Sequence, residues 1–187
     1  MKKISIVILI VFGGLLYFAT QISATYPPIK EYEFEIPVSD LRIAIKEALK
    51  ERDKFEYEFT DTVGNKENGY AYYISLRIKG LKMDNYYTIK YEEDEKGFWN
   101  KTIISKIKLI SAFDKIHNTG GCKSEDTDVA KMTTIFESKF IDELYRVMIH
   151  GILHLLGYDD KTGKQKKIMR KMENFSLEIL YDLFNLK

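Results

Sequence analysis

From Lys54 to Phe113 the chain trades apolar for polar residues at almost every step, and that period of two commits its middle to β-structure. Phe55, Tyr57 and Phe59 share one face of a first strand. After the turn-like GNKENG, the run GYAYYISLRIKG alternates through Tyr70, Tyr72, Ile74, Leu76 and Ile78. NYYTIKYEE and KTIISKIKLISAF extend the series, separated by EDEKG. Gaps this short join antiparallel neighbours, so an antiparallel β-meander is expected. Its many tyrosines suit sheet surface and core, although the same rings could stack bases. Upstream, YEFEIP alternates as a half-buried strand does, and SDLRIAIKEALKER has helical spacing, with Leu41, Ala44, Ile45, Ala48 and Leu49 on one stripe and Ser39 placed to cap it.

Beyond IHNTGGCKSED the period lengthens. Val129, Met132, Ile135, Phe136, Phe140 and Leu144 recur at helical spacing from a start near Thr127 or Asp128, and the pattern runs through YRVMIHGILHLL to a stop at Gly157. A last helix is expected from about Gly163 to Phe184, with Ile168, Met169, Met172, Phe175, Ile179, Leu180 and Leu183 on its inner side. The fold class is therefore α+β: an antiparallel β-meander with a flanking helix, followed by two C-terminal helices. Three regions result: an N-terminal segment 1–24, an α+β meander region 25–116 and a helical region 127–187. Cys122 is the only cysteine, which excludes an intrachain disulfide and any metal site built on several thiols.

The N-terminus, MKKISIVILIVFGGLLYFATQISA, places two lysines before a mostly apolar stretch that ends in small residues at Ala24. This reads as a signal peptide or signal-anchor helix, which would contact a membrane through residues 4–20 if uncleaved. Charge is uneven behind an overall +1. Residues 25–144 carry 19 Lys/Arg against 23 Asp/Glu, whereas residues 145–187 carry 8 against 5.

Within that basic quarter lies HGILHLLGYDD, residues 150–160. Val147, Met148, Ile149, Ile152, Leu153, Leu155 and Leu156 make the helix apolar all round, so it is expected to be buried. His150 and His154, four residues apart, stand one above the other on one face, a spacing that lets two imidazoles converge on a single ion. Gly157 lets the chain turn, and Asp159 or Asp160 can return to supply a third ligand. Two buried histidines can equally well serve structure by bonding carbonyls or a carboxylate. Gly151 occupies the position of the glutamate in HExxH, so the glutamate-base chemistry of zinc peptidases has no residue to run on.

The segment ELYRVMIHGILHLLGYDDKTGKQKKIMRKME resembles the metal-site segment of the YbeY family of ribosomal RNA maturation endoribonucleases, whose signature is HGxLHLxGYDH. His150, Gly151, Leu153, His154, Leu155, Gly157, Tyr158 and Asp159 match in register, and the likeness covers about residues 143–180. It implies one Zn2+ held by His150, His154 and the residue at 160, here Asp160 where the signature has histidine; aspartate is itself a zinc ligand. It further implies a zinc-dependent endoribonuclease in which the metal activates water against RNA phosphodiesters, with ribosomal RNA or the ribosome as partner. Asp159 is the nearest candidate for a general base. In the following KTGKQKKIMRK, the side chains of Lys164, Lys166, Lys167, Arg170 and Lys171 could approach RNA phosphates or simply form a solvated face. Localisation divides accordingly: membrane-anchored or exported by the N-terminal segment, cytoplasmic if the resemblance governs. The alternative is an exported or membrane-anchored, non-enzymatic α+β protein joined to a YbeY-like tail whose metal motif is a relic or structural.

Overall fold

The computed structural model describes residues 27–50, 55–65, 69–80, 82–93 and 104–184. The expected signal or anchor segment and the turns GNKENG and EDEKG fall wholly or partly outside them. No helix among the described residues is long and apolar enough to cross a membrane.

The fold is α+β, an antiparallel sheet with helices. Strands β1 (Lys30–Phe34), β2 (Phe55–Asn65), β3 (Gly69–Gly80), β4 (Met83–Glu93), β5 (Ser105–Asp114) and β6 (Thr119–Gly121) form one sheet in the order β1-β5-β4-β3-β2, with β6 also on β5. The meander expected from the alternation is thus β2 to β5, and β1 joins its far end. Ile74, Leu76 and Ile78 of β3 and Tyr87, Ile89 and Tyr91 of β4 point to one buried face. On β5, Ser105, Ile107 and Leu109 do the same, but the next buried residue is Ala112. The ladder slips between Thr88 and Ile89, leaving Ile110 as a bulge that switches the inward phase from odd to even.

The opposite face is charged. Lys108 bonds Glu92 at 2.6 Å, Lys106 bonds Glu33 at 2.8 Å, and Arg77 spans Glu56 at 2.7 Å and Asp84 at 2.6 Å. Helices therefore cover one face of the sheet and salt-bridged side chains line the other.

Four α-helices follow in chain order: α1 (Val38–Lys50), α2 (Thr127–Phe136), α3 (Asp142–Leu155) and α4 (Gly163–Phe184), with a π-helical turn, Glu137–Ile141, joining α2 to α3. Ser39 lies inside α1 rather than capping it: its hydroxyl meets Asp40, and the Pro37 carbonyl accepts the first amides, because α1 begins at Val38, two residues earlier than a Ser39 cap implies. The cap of α2 is Asp126, whose carboxylate takes the Asp128 and Val129 amides. Leu41, Ile45 and Leu49 of α1, Val129, Met132 and Phe136 of α2, and then Phe140 and Leu144, close over the inner face of the sheet. Each such side chain contributes roughly 1.5–3 kcal/mol by leaving water. The helical run passes through residue 144 without a break, and Tyr145, Val147 and Met148 still pack on this core.

The far end of α3 leaves the sheet and pairs with α4 around a smaller cluster of Ile149, Leu153, Met169 and Leu177. Two expectations fail here. Ile152, Leu155 and Leu156 are exposed, so the histidine-bearing helix is not buried on every side. In α4 the inward residues are Met169, Met172, Glu173 and Leu177, whereas Ile168, Phe175, Ile179 and Leu183 face outward. Both helices carry more apolar surface than one partner helix can cover.

Candidate metal site

Local sequence builds the site. α3 ends at Leu155 with Leu156 as its C-cap, Gly157 adopts φ +91°, and the amides of Gly157 and Tyr158 return to the carbonyls of His154 and Leu153, both at 3.0 Å. This glycine-closed double bond ends the helix and reverses the chain. α4 then opens on a reciprocal cap: the Thr162 amide donates to Gln165 Oε1 at 2.9 Å, and the Gln165 amide to Thr162 Oγ1 at 3.2 Å. The threonine and glutamine three apart were a readable signal for the start of that helix. Between the two caps, Tyr158 packs against the small cluster at the end of α3.

His150 and His154 face each other with their Nε2 atoms 2.9 Å apart and their rings nearly perpendicular, at 89°. Each Nδ1 is already engaged: that of His150 lies 2.9 Å from Glu173 Oε1, and that of His154 lies 2.9 Å from the Tyr158 carbonyl. Both partners are acceptors, so each Nδ1 carries the proton and, in the neutral rings, each Nε2 presents a lone pair. Two lone pairs at that separation repel unless a cation, whether a proton or a metal ion, sits with them. Asp160 completes the group: the ligand atoms of His150, His154 and Asp160 all lie within 4.8 Å of one another. Two imidazole nitrogens and a carboxylate oxygen are a donor set suited to a divalent transition metal.

Glu173 was not singled out from the sequence. It is buried, at 5% exposure, and its second oxygen takes Arg170 at 3.0 Å and Arg146 at 3.4 Å. Arg146 also bonds Asn174 at 2.7 Å. A buried carboxylate needs such partners, and with them it fixes the tautomer and tilt of His150. Its signal in the sequence was an acid inside the apolar register of α4, between Met169 and Leu177.

Asp159 lies apart from the cluster, exposed and 3.5 Å from Lys161. Of the five basic candidates, Arg170 is occupied with Glu173, and Lys164, Lys166, Lys167 and Lys171 are exposed. At 100° per residue Lys166 shares the flank of Arg170, beside the histidines, while Lys164, Lys167 and Lys171 fall on the other side of α4.

Comparison with known proteins bears on this segment. Residues 126–181 match the family model of endoribonuclease YbeY. The match begins upstream of residue 143 and takes in α2, the π-helical turn and the helical hairpin. Among relatives named endoribonuclease YbeY, that of Amoebophilus asiaticus is 50% identical over 84 residues, 45% of this chain and 57% of its own length. That of Azobacteroides pseudotrichonymphae is 54% identical over 43 residues, 23% of this chain and 31% of its own. The YbeY of Christiangramia forsetii is 33% identical over 75 residues, 39% and 52%. The chain thus spans between about a third and somewhat over half the length of these relatives. No solved structure matches it.

Proposed function

We propose that the chain is a metal-dependent hydrolase of RNA phosphodiesters, an endoribonuclease of YbeY type, with one divalent ion, zinc by donor preference, held by His150, His154 and Asp160. The observation that carries this reading is the pair of facing Nε2 atoms whose opposite nitrogens are both tied to acceptors. Such an ion supplies Lewis-acid polarisation of a phosphoryl oxygen and an acidified water.

The chain's own residues do the rest. Glu173 and the Tyr158 carbonyl hold the two rings in the tautomer that points Nε2 outward. Asp160 adds negative charge, which offsets that of a divalent ion. His154 is exposed and His150 only partly covered, so a polymer can reach the site without entering a cavity. Lys166, on the same flank, is the cation best placed to meet a phosphate of the bound strand. Asp159, turned to Lys161, is not assigned a proton-transfer role.

Elemental analysis of the purified full chain, beside His150→Ala and His154→Ala, tests the metal. Near one zinc per chain is expected, with loss in both variants and loss of cleavage of a structured RNA. Wild-type protein that folds without metal, or variants that cut as well as the parent, would overturn the reading.

A further inference from the structure

The flank of the hairpin away from the histidines is apolar and uncovered. On α4, Ile168, Phe175, Ile179 and Leu183 stand exposed in one stripe along the helix, and Met172, partly covered by the hairpin's own cluster, lies at its inner edge, the five following at intervals of four, three, four and four. Phe175 is 54% exposed and Leu183 72%. Ile152, 56% exposed on α3, is turned to the same side, since it lies clockwise of Leu153 where His150 and His154 lie anticlockwise. This is the spacing of a helix seam, and it has no partner among the described residues.

Charge on the stripe's outer border identifies what would cover it. Lys164, Lys167 and Lys171 line that border in the first half of α4, and Glu178 and Asp182 line it in the second; all five are exposed. An anionic lipid surface would be repelled by the acidic half. A second α4 laid antiparallel about Phe175 matches both halves at once. It sets Met172 against the partner's Ile179 and Ile168 against the partner's Leu183, with the two Phe175 rings at the axis. It also sets Lys171 against the partner's Glu178 and Lys167 against the partner's Asp182, and twofold symmetry makes every pair twice.

We propose that α4 is the interface of a twofold homodimer, with both metal sites on the outward flanks. Light scattering and sedimentation of the full chain test it, with far-UV circular dichroism to show that each variant folds. The wild type should run as a dimer, and Phe175→Glu should be monomeric. Lys171→Glu should weaken association about tenfold, because it places like charges together twice, and the double swap Lys171→Glu with Glu178→Lys should restore it. Metal content should stay unchanged in all of these. A monomeric wild type, a dimer that survives Phe175→Glu, or a double swap that fails to rescue would each overturn the proposal. So would wild-type protein that stays monomeric in solution and gathers instead on phosphatidylserine vesicles.

Discussion

At the scale of single residues, the hairpin works by assigning every nitrogen of two imidazoles. Glu173 decides half of that assignment, so Glu173→Gln, which keeps an acceptor but loses the charge, should weaken zinc binding about 10–100-fold while leaving the fold intact. Competition with a chromophoric chelator measures it; an unchanged affinity would mean that the carboxylate serves only Arg146 and Arg170. Gly157 is the other controlling residue. A Cβ there meets nothing within 4 Å, so Gly157→Ala carries only the conformational cost of φ +91°, about 1 kcal/mol. Thermal denaturation should show a fall of a few degrees, and because Tyr158 follows Gly157, metal affinity should fall with it.

At the scale of elements, the sheet was the most legible part. Tyr87, Ile89 and Tyr91 alternate with Thr88 and Lys90, and that pattern has one solution once one face is buried. The helix limits from Thr127 and to Phe184 were legible for the same reason, as were His150, His154 and Asp160 as a group. The exposed flank was not. Periodicity records which positions are apolar, and α4 is apolar over nearly half its circumference, so Met169 and Phe175 look alike until a neighbour covers one of them. Ile110 and the π-helical turn were hidden too, because a single surplus residue barely disturbs a hydrophobic pattern.

The charged face of the sheet carries its own pH dependence. Burial pushes the Glu92 carboxyl up, but the hydrogen bonds from Lys108 and Lys90 outweigh it and hold the group below the ordinary glutamate value. A depressed folded value means that the stabilisation is complete above the unfolded pKa, near 4.5, and is lost as pH falls through the folded one. Glu92→Gln should therefore cost about 1 kcal/mol at neutral pH and leave a shallower loss of stability below pH ~4. Urea denaturation across that range reads both effects.

At the scale of the whole molecule, two apolar clusters of unequal size share one helical run. The larger joins the sheet to α1, α2 and the start of α3; the smaller joins only the end of α3 to α4. Fewer buried contacts mean a lower opening free energy, so amides of residues 149–180 should exchange faster than those of β3, β4 and β5. On the proposed reading zinc would bind only the closed hairpin, so its addition should slow exchange in α3 and α4 and leave the sheet unchanged. Uniform protection by metal would show instead that the molecule opens as one unit.

The π-helical turn between α2 and α3 has a consequence for the family of sequences that this segment could tolerate. Its wider turn, closed by the Asp142 amide on the Glu137 carbonyl, absorbs one residue more than an α-helix would over the same path. Phe136 and Leu144 are both anchored, one on each side of it. A deletion at exposed Ser138 removes that surplus and keeps the phase, but the same residues wound as plain α-helix throughout would advance everything downstream by about 100° of azimuth. Either Leu144 would then rotate out of the interior, or the imidazoles would swing off Glu173. The length of that one turn is the clockwork that keeps the histidine-bearing flank and the hydrophobic seat in step.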